Sequence, residues 1–229
     1  QWPLANREQR RFYIAEGESG TIASANDGSL STEAPVIMAA FDTYTLDYST
    51  TCGKGSRWGA VLGASDYPNM RAHDKNALTY TTPPLETDVQ VTGHPVMNLW
   101  LVADAPDLDV FVYLEEVDGK GDSTYITEGN LRASHRAQGT APYDNLGLPY
   151  HSHYESNLEP LPAGEPFELN FDLLATSYLF QAGNHIRITV AFADADNFDT
   201  PILDPAPMIK LLRTTAHPSF VKLPLVHNR

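Results

Sequence analysis

The sequence predicts an all-β fold, a jelly-roll β-sandwich with few short helices. Residues 167–173, FELNFDL, alternate apolar and polar side chains at every position, which predicts a half-buried strand. Residues 185–193, HIRITVAFA, repeat this pattern. Clusters of Gly, Pro and Asp separate such segments at short spacing, and long amphipathic helical patterns are hard to find. Many short strands with few helices are typical of two packed sheets.

Other segments rich in Val, Leu, Tyr, Thr and Trp have the composition of strands. We predict strands in segments 10–16, 36–48, 86–92, 95–103, 110–117 and 123–128. Only residues 172–180, DLLATSYLF, are expected to form a turn or two of helix.

The size and charge of the chain limit its organisation and partners. Its 229 residues, of which 42% are hydrophobic, suit one domain spanning 1–229. The formal net charge of −14 argues against a nucleic-acid partner, and no apolar run has the length of a membrane span. The single cysteine, Cys52, does not indicate a compartment. Because the chain opens with Gln1-Trp2-Pro3 and not Met, we expect it to be a piece of a longer polypeptide.

The stretch EVDGKGDS lies between two predicted strands and raises the question of a calcium site. An EF-hand loop needs oxygen ligands at alternate positions and a distant Glu. Here Lys120 stands at a ligand position, and Gly129 stands where the distant Glu should be. Gly119 and Gly121 supply the backbone freedom that a hairpin bend requires. The sequence therefore predicts a turn without a metal.

No catalytic nucleophile is evident. The α/β-hydrolases carry their serine in G-x-S-x-G at a strand-to-helix elbow, and neither GESGT at 17–21 nor GKGSRWG at 53–59 has that spacing. Cys52 could be a thiol nucleophile, but a single free cysteine is more often a packing residue. We predict no catalytic residue and no cofactor in this chain.

His151 and His153 have the H-x-H spacing with which cupin-type metal sites begin. Glu155 follows too early and Glu159 too late for the usual third ligand. Two imidazoles without a third ligand rarely hold a metal. We interpret the stretch PYDNLGLPYHSHYES as a polar surface loop and predict no metal site there.

Several stretches in order carry a family resemblance. Residues 78–136, LTYTTPPLETDVQVTG through TEGNLRASHR, resemble the C-terminal domain of X-Pro dipeptidyl-peptidase and cocaine-esterase-like serine hydrolases. GSLSTEAP at 28–35, PLPAGEPFELNFDLLATSYLFQAGNHIRITVAFAD and HPSFVKLPLV at 217–226 resemble the opening, middle and closing strands of that domain. No single motif is decisive, but their order and spacing cover nearly the whole chain.

The resemblance implies a galactose-binding-like jelly roll that follows an α/β-hydrolase catalytic domain in the same polypeptide. In such enzymes the Ser, Asp and His of the triad lie in the hydrolase part, so no catalytic residue is carried over to this chain. The resemblance implies an accessory role, bracing the catalytic domain and walling its active-site cleft. The alternative is a free-standing module that binds a ligand or carbohydrate. The sequence leaves open the substrate, the compartment and whether the chain forms a homo-oligomer.

Two further hypotheses concern individual residues. Asp109, Arg132 and Arg187 are expected to form ion pairs that fix the strands, in preference to holding an anionic ligand. Segment 48–76 departs from the pattern of the family and is longer. Its apolar residues form either an exposed interface or a small core of their own. These residues are Trp58, Val61, Leu62, Tyr67 and Met70.

Overall fold

The structure is a computed structural model that describes residues 4–21, 24–59 and 64–226. Its described residues form thirteen strands, one short α-helix, α1 (Arg71–Asp74), and two turns of 3₁₀-helix. The strands are β1 (Arg7–Ala15), β2 (Asn26–Ser31), β3 (Phe41–Thr45), β4 (Leu78–Thr81), β5 (Val89–Gly93), β6 (Val96–Ala103), β7 (Asp109–Val117), β8 (Ser123–Arg132), β9 (Phe167–Asp172), β10 (Thr176–Phe180), β11 (His185–Ala191), β12 (Met208–Leu212) and β13 (Phe220–Val226). The predicted all-β class is confirmed.

Strand pairing links all thirteen strands without closing a barrel. The main path runs β3-β12-β6-β13-β1-β2-β4-β11-β7-β8, while β9 pairs with β6 and β5 joins β13 to β10. The pairs are antiparallel except for β2 with β4. The main core draws buried side chains from both ends of this path, such as Leu99 of β6 and Val112 of β7. This arrangement is that of a two-layer β-sandwich.

Strand β7 is buried on both of its faces. Side chains alternate along a strand, so Val110, Val112 and Leu114 enter the main core. Phe111 and Tyr113 point the other way and join a second, smaller cluster. All nine residues of β7 are buried, which sets it apart from the half-exposed strands at the edges.

The second cluster shows whether the apolar residues of segment 48–76 are exposed or form a small core. Cys52, Met70 and Ala77 pack on Phe111 and Tyr113, and Tyr67 stacks on Tyr125 at 3.5 Å between ring centroids. Trp58 is 37% exposed, and its ring lies 4.7 Å from that of Phe198. Val61 and Leu62 lie outside the described residues. The segment is therefore a satellite core that covers the outer face of β7, and Met70 and Tyr67 do not belong to an exposed interface.

The predicted helix at 172–180 is wrong. Residues Thr176–Phe180 form β10, which pairs antiparallel with β5. Phe180 is fully buried in the main core, and the hydroxyl of Tyr178 donates a hydrogen bond of 2.6 Å to Oε2 of Glu116. β-branched and aromatic residues fit a pleated surface well, and pairing with β5 outweighs the weak local helical pattern.

One strand prediction needs a smaller correction, and strand β12 was missed. Within 36–48 only β3 is a strand, and residues 36–40 run beside the chain after β12 through isolated bonds such as Thr215 N to Ile37 O. Strand β12 itself was not predicted from the residue pattern. Pro205 and Pro207 precede it, and a five-residue strand beside prolines has little pattern of its own.

A pair of methionine variants tests the satellite core. Met70 is fully buried, whereas Met38 is 80% exposed. We expect Met70→Ala to lower the free energy of unfolding by about 2–5 kcal/mol, because it removes buried methylene groups and leaves a cavity. Met38→Ala should change it by less than about 0.5 kcal/mol. Urea unfolding of both variants measures the difference, and equal stabilities would contradict the satellite core.

Candidate functional site

The bend at 118–122 is a hairpin turn. It joins β7 to β8, and Oδ1 of Asp118 accepts hydrogen bonds from the backbone N–H groups of Lys120 at 2.8 Å and Asp122 at 2.9 Å. These bonds hold the pKa of Asp118 below its usual value. Gly121 has a φ of +81°, in the region that favours glycine. The carboxylate of Asp118 thus serves the turn, and the absence of a metal here stays a prediction.

Cys52 and Ser56 are unsuited to nucleophilic attack. The thiol of Cys52 is 1% exposed and lies 3.0 Å from Oδ2 of Asp194. Burial, followed by the neighbouring carboxylate, raises the pKa of Cys52 well above its ordinary value, which disfavours the reactive thiolate. Ser56 is fully buried, and its hydroxyl bonds to Oδ1 of Asn197. Neither side chain hydrogen-bonds to a histidine within the described part of the chain.

His151 and His153 lie in a loop, not in a strand, so the register of a cupin site is missing. Both ring nitrogens of His151 face backbone carbonyl oxygens, of Ala137 at 3.2 Å and of Asn170 at 3.0 Å. The ring of His153 is exposed and lies 5.2 Å from that of His135, centroid to centroid. The nitrogens of His151 are engaged within the loop, and the absence of a metal here also stays a prediction.

Asp109 and Arg132 form a cross-strand ion pair. They stand opposite each other in β7 and β8, and the guanidinium donates two bonds, Nε to Oδ1 at 2.7 Å and Nη2 to Oδ2 at 3.0 Å. The pair lines an apolar pocket with Leu46 and Pro201 whose volume is about 80 Å³. Pockets for small molecules hold about 300–1,000 Å³, so this one is too small for a ligand of that class.

The most distinctive polar site lies beneath segment 48–76, on the outer face of β7 and β11. Arg187, fully buried, donates from Nη1 to Oδ2 of Asp74 at 2.9 Å and from Nε to Thr81 at 2.9 Å. Glu115 stands directly opposite Arg187 in the β7–β11 pair. Burial, and then the charge of Asp74, raises the pKa of Glu115, while Arg187 opposes that rise.

Serine and threonine hydroxyls complete the network. Ser123 Oγ lies 2.8 Å from Asp74 Oδ2 and 3.1 Å from Glu115 Oε2. Thr189 Oγ1 lies 3.1 Å from the same Glu115 oxygen. The site therefore joins α1 to four strands, β4, β7, β8 and β11, through charged and hydroxyl groups that are withdrawn from water. Such a network stabilises the cover of the sheet, and it contains no nucleophile–base pair of the kind hydrolysis requires.

A family model for the X-Pro dipeptidyl-peptidase C-terminal non-catalytic domain matches residues 1–213. The chain belongs to this family. It is an accessory, non-catalytic domain of that family. The predicted family, the predicted accessory character and the predicted fold class are thus confirmed.

Named relatives of this X-Pro dipeptidyl-peptidase C-terminal domain are hydrolases. A Mycobacterium bovis protein provisionally named a serine esterase is 40% identical over 205 residues, covering 87% of this chain and 32% of that protein. The cocaine esterase of a Rhodococcus species is 28% identical, with coverage of 86% and 32%. The chain spans about a third of the length of these relatives.

Solved structures share the fold. An aminopeptidase from a Thaumarchaeota archaeon superposes with a TM-score of 0.74 at 18% identity, over 99% of this chain and 38% of that one. A CocE/NonD family hydrolase from Staphylococcus aureus superposes with a TM-score of 0.70 at 16% identity, over 99% of this chain and 38% of that one.

No helix within the described ranges is both long and apolar enough to cross a membrane.

Sequence reasoning found Arg187 but missed its partner. Asp74 lies in the unusual segment, and nothing in its neighbourhood, RAHDKN, predicts a buried carboxylate. Glu115 carries a weak signal, because it interrupts the apolar run VFVYL where a strand buried on both faces would be expected to continue.

Replacing Arg187 tests how much the buried Arg187–Asp74 pair contributes to the free energy of unfolding. Arg187→Met leaves Asp74 buried without its cationic partner, and we expect a loss of about 3–5 kcal/mol in the free energy of unfolding. Arg132→Met is the control, since the side chain of Arg132 is 41% exposed and its removal should cost about 1 kcal/mol or less. Denaturant titration of both variants compares the losses. A larger loss for Arg132→Met would contradict this ranking.

The isolated chain should not catalyse hydrolysis. We expect no turnover of p-nitrophenyl esters or of Ala-Pro-p-nitroanilide above that of a Cys52→Ala/Ser56→Ala control, because neither side chain is exposed to substrate. A rate that is abolished by either substitution would overturn this expectation.

Proposed function

We propose that this domain is the accessory β-sandwich of a serine hydrolase in the esterase and X-Pro dipeptidyl-peptidase class. It braces the catalytic domain of the same polypeptide and walls one side of its active-site cleft. The observation that carries the proposal is the family match, together with relatives three times as long that are named as hydrolases. The alternative of a free-standing binding module is less well supported, because the apolar pocket beside Asp109 and Arg132 is too small for a small-molecule ligand.

The outer surface along β3 and β12 suits a contact with another domain. Phe41 and Met208 are each 46% exposed, and both lie on the outward face of the β3–β12 pair. The loop before β3 and the loop before β12 add further exposed apolar side chains. These are Val36, Met38 and Ile202. We name these five residues the β3 face.

Exposed apolar side chains in one region commonly mark a contact with another domain or protein. The outer face of β7 is not available for such a contact, because segment 48–76 already covers it. Lys210 lies beside the β3 face, with Nζ 4.8 Å from the centroid of the Phe41 ring.

Charge substitution on the β3 face tests the proposal. In the full polypeptide, Phe41→Asp/Met208→Asp should lower the temperature of thermal inactivation and increase cleavage between the domains by protease. Leu179→Asp on β10 is the matched control, since Leu179 is 47% exposed. In the isolated domain each substitution should change stability by only about 0.5 kcal/mol, as is usual for surface positions. Activity and stability that survive the double substitution but fall with Leu179→Asp would place the contact elsewhere.

A further inference from the structure

The buried network beneath segment 48–76 contains three side chains whose ligand atoms have converged. One nitrogen of His73, one oxygen of Asp74 and one oxygen of Glu115 all lie within 4.8 Å of one another. The residues come from α1 and from β7, which are distant in sequence, so the fold brings them together. All three residues are buried, with His73 at 5% exposure and the two carboxylates at 0% or nearly so.

Several of these atoms have no hydrogen-bond partner among the described residues. In that part of the chain, both ring nitrogens of His73 and Oε1 of Glu115 are buried without one. The closest charged contact of His73 is Nδ1 to Oδ1 of Asp74, at 3.5 Å, too long for a good hydrogen bond. Unpaired buried polar atoms are rare in native proteins because each costs desolvation energy. A single metal ion would give these groups a shared partner, because one ligand atom from each residue lies within 4.8 Å of the others.

The surrounding donors hold the outer oxygens of both carboxylates. Arg187 and Ser123 reach Oδ2 of Asp74, and Ser123 and Thr189 reach Oε2 of Glu115. Oδ1 of Asp74 has only longer contacts, with Thr189 Oγ1 at 3.4 Å and with Nδ1 of His73 at 3.5 Å, and Oε1 of Glu115 has no hydrogen-bond partner among the described residues. Outer donors of this kind orient ligating carboxylates in metal sites. Arg187 therefore does not block a metal at Oδ1 of Asp74, because its guanidinium bonds to Oδ2 of that carboxylate.

We propose that His73, Asp74 and Glu115 bind one structural zinc ion, which ties α1 and the satellite core to β7. One imidazole and two carboxylates are a donor set that suits Zn²⁺. Calcium and magnesium fit less well, because they prefer six or more oxygen ligands. Three protein donors leave a fourth position for water. Ser123, which bonds to both carboxylates, also lines a surface depression with Asn69 and Tyr125.

A proton is the competing partner for these lone pairs. If Glu115 is neutral and donates to a neighbouring hydroxyl, the network needs no metal. The surface histidines supply a second competitor, because His135, His151 and His153 could collect zinc without any built site. The experiment has to separate the buried site from both.

The probe is Zn²⁺ itself. It is added to protein that has been dialysed against a chelator and then separated from that chelator. We expect calorimetry to give one tightly bound Zn²⁺ per chain and the melting temperature to rise with zinc concentration. His73→Gln and Glu115→Gln should each weaken binding at least about 100-fold, since even outer-shell substitutions cost about 10–100-fold. His151→Gln/His153→Gln is the matched control and should retain the ion.

X-ray absorption of the zinc-loaded wild-type chain decides the matter even if the variants do not fold. We expect one imidazole with oxygen donors at about 2.0–2.2 Å. Two or more imidazoles, or loss of zinc only in the His151→Gln/His153→Gln variant, would assign the ion to the surface loop and overturn the proposal. Failure of the wild-type chain to bind stoichiometric zinc would overturn it as well, and would leave the proton as the partner.

Discussion

The ion pair between Arg187 and Asp74 is the contact on which the satellite core of segment 48–76 depends. Arg187 lies on β11, between β4 and β7 in the strand path, and its side chain points away from the main core. An arginine in that position can be buried only if a carboxylate is buried with it, because an unpaired charge out of water is costly. Asp74 meets this need from α1, and segment 48–76 is thereby held against the sheet.

This constraint explains why β7 is buried throughout. One face of β7 contributes Val110 and Val112 to the main core, and the other contributes Phe111 and Tyr113 to the satellite core. A sandwich strand normally has one face in water or at a partner surface. Here the cover comes from the chain itself, and it carries polar groups inward as well as apolar ones. Threonines 79, 81 and 189 are all fully buried along this face.

The same arrangement bears on how the domain meets its neighbours. Because the outer face of β7 and β11 is occupied, the exposed apolar side chains are concentrated elsewhere, notably on the β3 face. The candidate nucleophiles are likewise enclosed within the satellite core, where Cys52 bonds to Asp194. Cys52 and Ser56, the two candidate nucleophiles, therefore have structural roles. This agrees with membership of a non-catalytic family.

The sequence by itself determined the fold class, the strongest strands and the turn between β7 and β8. These features depend on local alternation and on turn residues, so the information lies within a few neighbouring positions. The order of several such stretches also indicated the family. In contrast, β10 and β12 became strands through pairing with β5, β3 and β6, and the residues around them do not reveal those partners. The meeting of His73 and Asp74 with Glu115 and Arg187 was likewise decided by tertiary structure, because burial and charge pairing depend on which surfaces the chain brings together.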